Sequence, residues 1–298
     1  MKSTTHPSIE INVPSETATL KQVVMCLANP VSISSLFRYG AFDIASIHQL
    51  LHNRWTFFYD YQKVCLQQKK LINVMQSHGV EVLLADNISS CISQHYIRDI
   101  GFAIDDVFFC ANLRRNYRQR EQQGLQQLLS SFSKVVQLKG GSIEGGDVLI
   151  NEDYVIVALG EETDREGIAC LKESLSKLGI KREIIVLEFS HRGVIHLDTK
   201  FNIVAPNIGL IYSNSFKSSS LRWLEQHFDL VEVTPSEVAN VEINTLSLSP
   251  ERLIMLSRSH RLASILEAKG LEIIQVDYSE VTKLPGSFRC TTLPIKRI

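Results

Sequence analysis

Short apolar segments alternate with amphipathic segments along most of the 298-residue chain, and this alternation restricts the fold more than any other feature. The apolar segments are rich in β-branched residues and are bounded by Gly, Asn or Asp, which indicates strands. In 162–178, by contrast, apolar residues recur at helical spacing. Strands are predicted at 22–28, 80–84, 107–110, 147–150, 154–158, 184–188, 202–205, 209–212, 252–256 and 272–276, and helices at 60–78, 118–131, 162–178, 217–227 and 259–269. A regular exchange of strands and helices predicts an α/β fold.

No linker rich in Pro, Gly or Ser divides the chain, so residues 18–298 are predicted to form one domain. Residues 1–17 are polar and lack the apolar core of a signal peptide, and we expect them to form a loose tail. A strand–strand–helix–strand unit recurs at irregular spacing without clear sequence identity. This recurrence leaves a structural repeat open.

Composition narrows the classes of partner. Lys plus Arg number 31 and Asp plus Glu number 32, so the net charge of −1 gives no electrostatic case for nucleic acid or an anionic membrane. No apolar stretch is long enough to span a bilayer. Six cysteines without a CxxC pair argue against a zinc site and a disulfide framework, and they fit a reducing cytoplasm. The oligomeric state stays open, with a homodimer as one option.

Four short segments contain the residue types of a chemical site: IRDIGF at 97–102, IEGGDV at 143–148, HLDTKF at 196–201 and PGSFRCTTL at 285–293. Each one alone has an ordinary structural explanation. Asp99 and Glu144 fit turns, His196 fits a hydrogen-bonded buried imidazole, and Cys290 fits a small buried hydrophobe. A chemical reading depends on whether the four segments meet.

Together, a cysteine, a histidine and acids are the parts of an activated-thiol site. Arg289 places positive charge beside Cys290, which favours the reactive thiolate. In extended backbone, His196 and Asp198 point to the same side. Several carboxylates near one thiol are costly unless they face a cation, and a planar guanidinium suits two carboxylates well. The set therefore indicates chemistry on a guanidine carbon.

The ordered motifs RD-IGF, EGGDV, HLDxxF and GSFRCxTLP resemble the penteins, a superfamily of guanidine-modifying enzymes. It includes arginine deiminase, dimethylarginine dimethylaminohydrolase, agmatine deiminase and the amidinotransferases. The resemblance covers nearly the whole chain, since 21–25 is similar to the first strand and 242–246 to the strand-loop before the last repeat. It implies a five-bladed α/β propeller of ββαβ units around a central active site.

The resemblance also implies roles. Cys290 is similar to the nucleophile, His196 to the general acid and base, and Glu144 to the acid that orients the histidine. Asp99 and Asp198 are similar to the carboxylates that hold the guanidinium. The implied reaction passes through an amidino-thioether on the cysteine and uses neither a metal nor another cofactor.

Departures from the family pattern bear on the substrate. Ile97 replaces the usual threonine-type residue, and Pro285 lies in the turn before the cysteine. Glu162 stands where many relatives have an arginine that helps to bind a substrate carboxylate. Arg118 or Arg165 could take over that task, or the substrate could lack the carboxylate. Glu162 could equally be an acid that complements the N-terminus of the helix 162–178.

We expect a small-molecule guanidine as the partner and a hydrolase of the dimethylarginine dimethylaminohydrolase or arginine deiminase type. An amidinotransferase is the chief alternative, because the same thioether serves both reactions. A propeller-fold binding protein without catalysis is a third reading.

Overall fold

The computed structural model describes residues 8–30, 59–89 and 91–298. Its strands are β1 (Leu20–Met25), β2 (Glu81–Leu84), β3 (Gly101–Ile104), β4 (Val107–Cys110), β5 (Val135–Gln137), β6 (Val148–Ile150), β7 (Tyr154–Leu159), β8 (Glu183–Glu188), β9 (Phe201–Ala205), β10 (Ile208–Ile211), β11 (Asp229–Glu232), β12 (Leu246–Ser249), β13 (Arg252–Leu256), β14 (Glu272–Val276) and β15 (Leu293–Arg297). Its α-helices are α1 (Tyr61–Ser77), α2 (Gln126–Leu129), α3 (Arg165–Leu178), α4 (Ser218–His227), α5 (Pro235–Ala239) and α6 (His260–Ala268).

The strands form five three-stranded sheets with one repeated topology. In each sheet the middle strand pairs antiparallel with one neighbour and parallel with the other, as β7 does with β6 and β8. The parallel partner follows a helical crossover, for example α3 between β7 and β8. These five ββαβ units confirm the predicted five-bladed α/β propeller.

The two ends of the chain complete the first sheet together. β15 pairs antiparallel with β1, with Val24 opposite Leu293, while β1 pairs parallel with β2. The strand that follows Cys290 is therefore fixed in the same sheet as the first strand of the propeller.

Every predicted strand is present, but β3, β5, β11, β12 and β15 were not predicted as strands. β5 and β11 are three- and four-residue edge strands with exposed residues, so they lack the apolar run that marked the others. β3 directly follows the segment that was interpreted as a turn around Asp99.

The helix predicted at 118–131 is instead a 3-10 helix, Gln119–Leu125, followed by the single turn α2. Gly124 explains the difference. Its carbonyl accepts the backbone N–H of Asp86 at 2.9 Å, and a Cβ at this position would lie 2.1 Å from Nε2 of Gln94. The close tertiary contact requires glycine, which weakens a regular α-helix.

The segment 8–17 differs from the loose tail that we expected for 1–17. Ile11 and Val13 are buried, and Val13 exchanges backbone hydrogen bonds with Asp105. Glu16 is also buried. Apolar residues at 11 and 13 alternate with polar ones, so this short segment packs along the propeller as extended chain. The division into domains stays a prediction.

The apolar core lies between neighbouring sheets. One cluster joins Phe102 and Phe109 of the second sheet to Val155 of the third and Leu171 of α3. A second joins the first and fifth sheets, a third joins the third and fourth, and a fourth joins the fourth and fifth. This packing between sheets holds in place the segments that lead into the strands, and the site residues lie in those segments. Within the described residues, no helix is both long enough and apolar enough to cross a membrane.

Candidate active site

Each of the four chemical segments lies immediately before the first strand of a different sheet. Asp99 is in the 3-10 helix Ile97–Ile100 before β3, and Glu144 precedes the 3-10 helix Gly145–Asp147 before β6. His196 and Asp198 precede β9, and Cys290 precedes β15. The repeat therefore brings residues that are distant in sequence to one buried centre.

His196 lies between two carboxylates. Its Nε2 is 3.0 Å from Oε2 of Glu144, and its Nδ1 is 3.6 Å from Oδ1 of Asp99. All three side chains are at least 95% buried. Gly146 makes room for the ring, because a Cβ there would lie 2.6 Å from Cγ of His196. The second glycine of EGGDV is thus required by the approach of the imidazole.

The charges around His196 decide its protonation. Burial alone would lower the pKa of the imidazole, but the carboxylates of Asp99, Glu144 and Asp147 outweigh it and raise the pKa well above its usual range. His196 is therefore an imidazolium in this centre at neutral pH, and it holds a proton that it can donate.

Asp147 ties two of the segments together. Its Oδ1 accepts the backbone N–H of Leu197 at 3.0 Å, and its Oδ2 accepts the hydroxyl of Thr163 at 2.6 Å. Burial raises the pKa of Asp147 to about 7, against the lowering effect of His196 and these hydrogen bonds. This second acid of EGGDV fixes the loop that carries His196.

Cys290 is fully enclosed, with its Sγ 3.5 Å from Oδ2 of Asp198. Burial raises the pKa of the thiol well above its usual range, the charges of Asp198 and Asp99 add to this, and Arg289 partly opposes it. The raised pKa favours the thiol form of Cys290, and its Sγ donates to Oδ2 of Asp198. A cation placed against those carboxylates would favour the thiolate.

Asn244 holds the cysteine turn in place. Its Oδ1 accepts the backbone N–H groups of Ser287 at 3.0 Å and Cys290 at 3.1 Å, and its Nδ2 donates to the carbonyl of Asp198 at 3.2 Å. Asn244 occupies, before β12, the position in the fifth sheet that the chemical residues occupy in the others. The segment 242–246 was matched to the family, but the role of this amide was missed. A polar residue at an equivalent point of the repeat was the available signal.

Two buried carboxylate oxygens, Oδ1 of Asp99 and Oδ1 of Asp198, accept no hydrogen bond among the described residues, although Oδ1 of Asp99 lies 3.6 Å from Nδ1 of His196. The other oxygen of each group is occupied, by Arg118 Nη1 at 2.8 Å for Asp99 and by Arg289 Nη1 at 2.8 Å for Asp198. Buried acceptors without donors are costly. These two oxygens can therefore receive the N–H groups of a bound cation.

The same centre also has the geometry of a metal site on one side. Among the described residues, Asp99, Glu144 and His196 place one ligand atom each within 4.8 Å of the others. Arg118 already brings positive charge to this group, since its Nη1 also lies 3.4 Å from Oε2 of Glu144. Arg118 therefore competes with a metal ion for the oxygens of Asp99 and Glu144.

Glu162 and Arg165 were both considered for contact with the far end of the substrate, but one is buried and the other is exposed. Glu162 is buried and is held by Arg115 through three hydrogen bonds of 2.8–3.1 Å. It lies before the N-cap Asp164 of α3, so it is not part of the helix terminus. Arg165 is 77% exposed and pairs with Glu188, and so points to solvent, away from the buried centre.

Solved structures with the same fold include guanidine-modifying enzymes. An amidinotransferase from Microseira wollei, named SxtG, superposes with a TM-score of 0.78 at 16% identity over 96% of this chain and 97% of its own. A DDAH mutant from Pseudomonas aeruginosa, complexed with citrulline, superposes with a TM-score of 0.74 at 18% identity over 93% and 99% of the two chains. These likenesses confirm the predicted pentein fold.

The family follows from sequence. The model of the family described as N,N dimethylarginine dimethylhydrolase, eukaryotic, matches residues 59–297, and the chain belongs to this family. It is also 30% identical to the uncharacterized protein YkgA of Bacillus subtilis, over 95% of this chain and 94% of that protein. An arginine deiminase of Streptococcus equi subsp. zooepidemicus is 30% identical over 52% of this chain, which spans only 46% of that enzyme.

Proposed function

We propose that the protein hydrolyses a C–N bond of a small cationic guanidine, with Cys290 as nucleophile and His196 as general acid and base. The observation that carries the proposal is that two buried carboxylates, Asp99 and Asp198, each keep one oxygen without a hydrogen-bond donor among the described residues, while the other oxygen of Asp198 contacts the thiol. The N–H donors of a guanidinium lie in one plane and point outward from different edges, so the group can donate to two carboxylates at once. Family membership and the named relatives support the same chemistry.

Binding of the cation starts the reaction. It neutralises the negative charge that holds the proton on Cys290, so the thiol releases its proton to solvent. The thiolate then adds to the guanidinium carbon and gives a neutral tetrahedral adduct. His196, held as an imidazolium by Glu144 and Asp99, donates its proton to the leaving nitrogen. The amine departs and leaves a cationic amidino-thioether on Cys290.

Hydrolysis of the thioether restores the enzyme. Neutral His196 takes a proton from water as the water adds to the same carbon. Collapse of the second adduct expels the Cys290 thiolate, which takes up the remaining hydroxyl proton and is again a thiol. The product carries a ureido group in place of the guanidinium. Glu144 acts through His196, and Asn244 acts through the backbone of the cysteine turn, so both are positioning residues.

A product assay tests this function. The protein is incubated with arginine, methylated arginines, agmatine and guanidino acids, each with and without an acceptor amine, and with Cys290→Ser as the control. We expect a ureido product and release of ammonia or an alkylamine from at least one guanidine. Amidino transfer to the added amine would instead indicate the transferase reaction. If no guanidine gave either product or a mass adduct on Cys290, the proposed function would be wrong.

A further inference from the structure

Glu16 is a buried carboxylate behind the site, on the extended segment before β1. Its Oε1 accepts Nη2 of Arg289 at 2.9 Å, and its Oε2 lies 3.8 Å from Nη1 of Arg98. All three side chains are at least 94% buried. One carboxylate thus contacts two buried guanidinium groups and offsets one of their two positive charges.

The two arginines directly precede site residues in the chain. Arg98 precedes Asp99, and Arg289 precedes Cys290. Hydrogen bonds also join the two segments. The backbone N–H of Arg98 donates to the carbonyl of Cys290 at 3.1 Å, and the side-chain Nε of Arg98 donates to the carbonyl of Arg289 at 3.3 Å. The arginines meet Glu16 behind the site while Asp99 and Cys290 face into it.

The charge balance behind the site depends on Glu16. Burial raises its pKa, but Arg289 and Arg98 outweigh burial and lower the pKa to about 2, so it is ionised. Arg289 also donates to Oδ2 of Asp198 at 2.8 Å, and Arg297 adds a third cation nearby. Without Glu16, the positive charge of the arginines would act on Asp198 alone and offset the negative charge that it presents to a substrate.

We propose that Glu16 is a positioning residue that makes the site selective for cationic over neutral electrophiles, because it offsets part of the positive charge of Arg98 and Arg289 and so leaves more of the negative charge of Asp198 for the substrate. The inference rests on the proposed function for its substrate class. The extended segment before β1 would thus tune the charge of the site although Glu16 lies behind the reacting groups.

Two alkylating reagents of nearly the same shape measure this selectivity without turnover. 2-Chloroacetamidine is a cation and 2-chloroacetamide is neutral, and in both the Cys290 sulfur displaces chloride to form a thioether. The readout is the ratio of their second-order rate constants at Cys290, followed by mass spectrometry. The test variant is Glu16→Gln, and the matched control is Glu10→Gln on the same segment, whose carboxylate forms an exposed pair with Lys296.

We expect the amidine/amide ratio to fall by about tenfold or more in Glu16→Gln, in line with loss of one charge-assisted contact, while the neutral reagent reacts no more slowly. Glu10→Gln keeps the wild-type ratio. A merely structural role would slow or speed both reagents together. An unchanged ratio in folded Glu16→Gln overturns the inference.

A charge-compensated variant covers the case in which Glu16→Gln does not fold. Glu16→Gln/Arg98→Gln removes one negative and one positive charge, so the proposal requires it to retain the wild-type ratio. A ratio lowered about tenfold in this folded double variant overturns the charge argument. Guanidine turnover by the wild type is recorded in parallel. Its absence would count against the proposed function, whereas an altered or unaltered reagent ratio bears on Glu16 alone.

Discussion

Replacement of Glu144 by Gln tests how the site keeps a proton on His196. Glu144 accepts on both oxygens, from the backbone N–H of Arg114 at 3.2 Å on Oε1 and from His196 at 3.0 Å on Oε2. Glutamine offers one acceptor and one donor, so it must leave one of these donors unpaired. It also removes a negative charge that raises the pKa of His196.

The size of the effect follows from the hydrogen bond. A bond to a charged group contributes about 1.5–3 kcal/mol, which corresponds to roughly a 10- to 150-fold loss in kcat/KM. The imidazolium is the form that donates to the leaving nitrogen, and its pKa is lower in the variant. The basic limb of the kcat profile therefore moves to lower pH.

The assay is ureido product formation across pH, with Glu173→Gln as the matched control because that glutamate forms an exposed pair with Lys177 on α3. The control should keep the wild-type rate and profile. If Glu144→Gln lost activity with no shift of the basic limb, the carboxylate would act on the fold of the loop and our reasoning about the His196 proton would be refuted.

The other predictions concern the remaining site residues. Cys290→Ser should abolish turnover while thermal unfolding stays close to wild type, because a hydroxyl is far less ionised than a thiol; near-native turnover would exclude the covalent path. His196→Ala should reduce turnover by about 10²–10⁴-fold, because proton transfer in both steps is lost; a mass shift on Cys290 would place the larger loss at hydrolysis, and wild-type rates would remove its assigned role. Asp198→Asn should slow a cationic substrate more than alkylation by a neutral reagent, and equal losses would assign Asp198 to structure. Glu162→Arg places a second guanidinium beside Arg115, so the arginine-to-agmatine ratio of kcat/KM should rise; an unchanged ratio would show that the pair does not face the substrate.

The sequence predicted those strands whose burial is visible as a run of apolar residues. Buried middle strands such as β7 and β13 are apolar runs, and they were predicted within one or two residues. Edge strands such as β5 and β11 have no such run, because half of their residues face solvent. Their pairing with the middle strand comes from the crossover, which periodicity does not reveal. The oligomeric state and the cellular location stay predictions.

The site residues also fall into those that local sequence predicts and those that it does not. Asp99, Glu144, His196, Asp198 and Cys290 could be chosen from local motifs, because each is a reactive side chain next to a strand. The structure groups Asp99, Glu144 and His196, places Asp198 against Cys290, and lets the charge of Asp99 act on the Cys290 thiol. Their assigned roles stay proposals until they are tested.

Glu162, Glu16 and Asn244 could not be assigned in this way, since what each does is decided by a distant partner. Glu162 finds its arginine 47 residues away, and Glu16 finds Arg289 at a separation of 273 residues. An acid in a polar N-terminal stretch carries no local sign that it will be buried against two arginines.

The propeller gives a physical reason why such distant partners matter here. Among the described residues, the segments before β3, β6, β9, β12 and β15 carry the site residues, so the site draws on all five sheets. The distance from thiol to carboxylate is therefore set by contacts between sheets, such as Asn244 with Cys290 and Asp198. Buried charges at these contacts must balance, because an unpaired one would be expensive. In this chain Glu16 offsets part of the positive charge of Arg98 and Arg289, so the extended segment before β1 is placed to influence the charge of the site.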